Sequence, residues 1–126
     1  MRAVDTNVLV RLITRDDLKQ AAAAEAFVAA GAWVPHLVLA EATWVLSSVY
    51  DRRPADIATA IEMLLQHEHL TMQEPETVAA ALGDFRTRPS IGFSDCLVLE
   101  IARKAGHVPL GTFDRDLGKM DGAQRL

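Results

Sequence analysis

A chain of 126 residues, half of them hydrophobic, with 13 Lys+Arg against 17 Asp+Glu and a net charge of −4, is expected to fold as one domain, residues 1–126, around its own core. The acidic balance excludes a protein that coats nucleic acid through a broad basic surface, and a single cysteine, Cys96, excludes a disulfide within the chain. No apolar run nears the ~20 residues of a membrane span, and Met1-Arg2-Ala3-Val4 runs straight into an aspartate, so a cytoplasmic protein without a membrane partner is expected.

Short apolar segments alternate with helical ones along the chain. Arg2-Ala3-Val4 reads as a first strand ending at Asp5, and Asn7 to Ile13 as a first helical segment. Asp16 or Asp17 is placed to cap the next helix, which runs to about Ala30 and stops at Gly31. Ala32-Trp33-Val34 is a second strand, and Pro35 suits the first turn of a long helix reaching about Tyr50. Pro54 starts another helix, ending near His67, before a third strand at Leu70-Thr71-Met72. Pro75 opens a helix to about Phe85, followed by a loop from Arg86 to Gly92. Ser94 is a natural N-cap for a helix from Asp95 to Ala105, closed by Gly106. Val108 to Gly111 forms a fourth strand leading into Thr112-Phe113-Asp114, and Ala123 to Leu126 can add a weak edge strand. This order predicts an α/β fold: a three-layer sandwich whose central parallel sheet of four to five short strands carries helices on both faces.

In open sheets of this kind, ligands bind beyond the carboxyl ends of the strands. Asp5 and Asp114 fall at such ends, and Asp95 lies in the first turn of its helix. Glu41 is the only charge in the apolar stretch Val38 to Leu46, with no lysine or arginine one turn away. A buried carboxylate there needs a partner, because an unpaired buried charge is costly. Four carboxylates converging in one crevice would repel unless one took a proton or a divalent cation sat among them. All-oxygen ligands suit Mg2+, with Mn2+ as a substitute, and such a site can activate water and steady a phosphate in transfer.

Four segments, in order, resemble PIN-domain nucleases: Val4-Asp5-Thr6-Asn7-Val8-Leu9-Val10, Leu39-Ala40-Glu41, Gly92-Phe93-Ser94-Asp95-Cys96-Leu97 and Thr112-Phe113-Asp114-Arg115-Asp116-Leu117. The chain is similar in length to VapC-type toxins of bacterial toxin–antitoxin pairs. The resemblance implies a metal-dependent endoribonuclease that hydrolyses RNA, usually a homodimer, held silent by a cognate antitoxin. It places Asp5, Glu41, Asp95 and Asp114 at the family's acidic positions, as catalytic residues and metal ligands, with Asn7 and Thr112 as polar helpers. Asp116, two residues on, makes the fourth position ambiguous; Asp114 follows Thr112-Phe113 directly, while Asp116 can simply cap the segment after it.

Other residues read more plainly. Arg11, Arg15 and Lys19 suit a solvated face, and Arg86, Arg88 and Arg115 are phosphate candidates. His67-Glu68-His69 lacks the further ligands of a zinc set, and His36 and His107 read as surface residues. Cys96 reads as core, and Trp33 and Trp44 as core or dimer interface. A receiver domain would need an acidic pair after the first strand and a late lysine, and a haloacid-dehalogenase-like phosphatase an aspartate where Asn7 stands. The remaining alternative is a PIN-like module that binds RNA or protein without cutting.

Overall fold

Parallel strands cannot be joined by a tight turn, so each neighbouring pair needs a long crossover, and helices supply it. The computed structural model, which describes residues 1–126, shows this arrangement in its first half. The chain divides into two compact units, Met1–Pro75 and Glu76–Leu126.

The first unit contains β1 (Arg2–Ala3), α1 (Thr6–Thr14), α2 (Leu18–Val28), β2 (Ala32–Val34), α3 (His36–Ser48), α4 (Pro54–Gln66) and β3 (Leu70–Met72). Its strands form a parallel sheet in the order β1-β2-β3, with Arg2 opposite Ala32 and Ala32 opposite Leu70. Alternation sorts each strand's side chains: Ala32, Val34, Leu70 and Met72 are buried, while Trp33 and Thr71 face out. The cap of α2 resolves to Asp17, whose carboxylate accepts from the Gln20 N–H at 3.0 Å. Asp16 instead joins Tyr50 (2.7 Å), Thr14 (2.8 Å) and Arg11 (3.0 Å) in a network tying the α1–α2 turn to the end of α3.

The second unit contains most of α5 (Pro75–Thr87), a 3-10 turn at Pro89–Ile91, α6 (Phe93–Ala105), β4 (Leu110–Thr112), a 3-10 turn at Leu117–Lys119 and β5 (Ala123–Arg125). Phe85 and Phe93 meet edge to face at 6.1 Å, and Cys96, Leu97, Leu99 and Leu117 are buried. Arg103 on α6 donates to the Asp121 carbonyl, and Gly122, at φ 87°, lies close enough that a Cβ there would meet the guanidinium carbon at 3.3 Å.

The α/β class and parallel pairing match the expectation, with six helices. The five strands divide between two parallel sheets, because β4 pairs with β5, Leu110 opposite Ala123 and Thr112 opposite Arg125. Several boundaries differ from the sequence reading: β4 spans Leu110–Thr112 rather than Val108–Gly111, and α2 and α3 end at Val28 and Ser48. The N-cap of α6 is Gly92, not Ser94: its φ of 87° suits glycine, and its carbonyl accepts from the Cys96 N–H at 3.2 Å. The expected loop after Phe85 is shorter, since α5 runs to Thr87 and Pro89–Ile91 form a helical turn.

Candidate acidic metal site

Asp5 leaves β1 in an extended conformation (φ −97°, ψ −179°) and is the N-cap of α1. One oxygen of its exposed carboxylate accepts from the Val8 N–H at 3.2 Å. Asn7, two residues into α1, is also exposed.

Glu41 departs from its expected environment. The buried side of α3 is made by His36, Leu39, Ala42, Thr43 and Leu46. Glu41 lies on the exposed side with Leu37, 76% exposed, and Trp44, 64% exposed. Water solvates its charge, so the burial argument for a partner does not apply. Trp44 and Trp33 are likewise not core residues, whereas His36, read as a surface residue, is buried. Arg11 and Arg15 are engaged with Asp16 and Glu25, in line with a structural rather than RNA-binding face.

The second unit brings two of the acids together. Asp95 sits in the first turn of α6, partly buried, and burial followed by the charge of Asp114 pushes its carboxyl above the ordinary aspartate range. Asp114, just beyond β4, is held by three bonds: Oδ1 accepts from the Leu117 N–H at 2.7 Å, its carbonyl from the Gly118 N–H at 3.0 Å, and its own N–H donates to Thr112 Oγ1 at 3.0 Å. Asp114 therefore does the capping that had been assigned to Asp116, whose side chain makes no cap bond. Proximity to Asp95 also separates the two, because it is Asp114 whose charge Asp95 feels.

Two like charges without a cation between them form a site of unmet electrostatic demand. Their donor set, carboxylate oxygen throughout, fits Mg2+ or Mn2+. No group of three or more His, Cys, Asp or Glu side chains is gathered at metal-holding spacing.

A second carboxyl pair was not foreseen. Glu100 on α6 lies beside Asp84 on α5, and burial, then the charge of Asp84 and a hydrogen bond with it, raise the Glu100 carboxyl above its ordinary range against the pull of Arg103. Asp84 Oδ2 is buried and has no hydrogen-bond partner. Burial, together with Asp84, Asp95 and Glu100, pushes the Cys96 thiol up to about 12, which makes it inert, as a core cysteine should be. Phe113 was also passed over, although an aromatic in the loop beyond a strand end was the available signal; it is 81% exposed.

A family model described as PIN domain matches residues 2–123. The chain belongs to the PIN domain family. No curated protein and no solved structure matches it. PIN domains are commonly nucleases that use divalent metal ions, so family membership supports a nuclease-like function here. No helix is long and apolar enough to cross a membrane.

Proposed function

We propose that this PIN domain is a metal-dependent endoribonuclease, the toxin of a type II toxin–antitoxin pair, with Asp5, Glu41, Asp95 and Asp114 as its catalytic acids. The observation that carries the reading is the Asp95–Asp114 pair, in which burial and the charge of Asp114 raise the Asp95 carboxyl, in a chain matched by the family from residue 2 to 123. Mg2+, or Mn2+ in its place, supplies the charge that offsets these carboxylates and the acidity that activates a water. Asp95 and Asp114 would hold the ion, with Asp5 and Glu41 as the further acids of the reading. Thr112 fixes the backbone of Asp114, and Asn7 and Asp116 serve as polar support.

Two partners follow from the same reading: a cognate antitoxin, and a second copy of the chain in a cytoplasmic homodimer. A groove of about 420 Å3 in the first unit, with Leu12, Ile13, Met63 and Leu64 in its lining and Arg15 and Arg52 beside them, supports a docking role for a protein partner.

Incubating purified protein with single-stranded RNA and Mg2+ tests the activity. Cleavage should stop with EDTA and in Asp95→Asn, which should keep its fold and match or exceed the wild type in metal-free thermal stability, because carboxylate repulsion is relieved. Undiminished cutting in either case overturns the mechanism. Tight RNA binding without cutting by the wild type assigns the chain to the non-catalytic alternative.

A further inference from the structure

Phe113 is as exposed as the N-terminal methionine, at 81%, yet it is not at a chain end. Leaving a whole phenyl ring in water forgoes the gain that its burial would bring. Its neighbours are fixed: Thr112 pairs with Arg125 and its carbonyl accepts from the Leu126 N–H at 2.8 Å, and Asp114 is pinned by its three bonds. The backbone on both sides of the ring is thus held, and the ring is presented at a set place beside Asp114. Arg115 follows, also exposed and in no ion pair.

Aromatic faces bind unpaired nucleobases by stacking, without needing a particular base, and an arginine beside them can meet the backbone phosphate. An exposed acid of the proposed metal site, Asp114, and the exposed cation Arg115 follow the ring directly in the chain. We propose that Phe113 is a base-stacking platform that seats one unpaired nucleobase of the RNA next to the phosphate being cut. This rests on the nuclease reading and adds to it a substrate requirement: a single-stranded position at the cut.

A cleavage site is first located in a mixed-sequence pool of single-stranded RNA, and a short oligonucleotide around it is then used with wild type, Phe113→Ala, Phe113→Leu and Phe113→Trp. Stacking predicts a loss in kcat/KM of about 5- to 150-fold for Phe113→Ala, a similar loss for Phe113→Leu, which keeps apolar surface without a π face, and retention in Phe113→Trp. Each nucleotide flanking the cut is then made abasic in turn. At one position the abasic RNA should be cut as slowly by wild type as by Phe113→Ala, since the partner of the ring is gone. Wild-type rates in Phe113→Leu, or a Phe113→Ala penalty of the same size on every abasic RNA, overturn the proposal; a change in oligomeric state without loss of cleavage assigns the ring to a protein contact instead. Because the side chain is exposed, each variant should fold, and matching thermal transitions verify it. Failure of wild type to cut RNA at all is a separate result, which removes the nuclease reading and this one with it.

Discussion

Glu100 shows how one carboxyl can make stability depend on pH. Its native environment binds the proton more tightly than the unfolded chain does, through burial and Asp84. The native state therefore carries extra proton above the ordinary glutamate range, about pH 4.3, and stability falls as pH rises from there through the raised native value, then levels off. Below the ordinary range the group contributes no slope. In Glu100→Gln the side-chain amide can donate to the Asp84 carboxylate at any pH, while the pairing with Arg103 at 3.1 Å is lost. The difference in melting temperature, variant minus wild type, should increase from about pH 4 to pH 7 and turn positive at its upper end, with a gain on the order of 1 kcal/mol. Thermal melts across that range decide it: a difference that does not change with pH means that the two carboxyls do not share a proton.

Asp5 has two assignments at once, cap of α1 and proposed metal ligand, and substitution can separate them. Asp5→Ala loses the bond to the Val8 N–H and should cost about 0.5–2 kcal/mol in denaturant unfolding. Asp5→Ser keeps a capping oxygen, so it should hold most of that stability while losing RNA cleavage. An active Asp5→Ser would leave the residue with its cap alone. Capping chemistry was also what the sequence displayed best: Asp17, Gly31, Pro54 and Gly106 stand at helix boundaries because a cap, a positive φ or a missing N–H is a local requirement. The side of a helix that faces water is not local. Around α3, Leu37 and Trp44 are exposed while Leu39 and Leu46 are buried, so apolar residues surround the helix and no period reveals that Glu41 points outward. Likewise nothing near Glu100 in the chain announces Asp84, which reaches it from a different helix, and the choice between Asp114 and Asp116 needed Leu117 and Asp95 in three dimensions.

The family match runs through both units, so the proposed activity belongs to the full chain. With a net charge of −4, that chain would draw little on general attraction to RNA, so under the proposed function recognition would fall to a few placed groups such as Arg115. Its sole cysteine is sealed, 0% exposed, with a thiol held near 12. A maleimide or disulfide reagent can therefore reach Cys96 only when α6 opens, and the labelling rate becomes a clock for that opening, read without RNA and without any introduced probe. In native buffer the reaction should run far slower than in denaturant. Mg2+ at a hundred times its dissociation constant should slow it about a further 100-fold if the ion binds only the closed form, by mass action on the closed state. Rapid labelling in native buffer would show that α6 opens freely. A slow rate indifferent to Mg2+ would show that the ion, wherever it binds, does not hold the helix that carries Asp95.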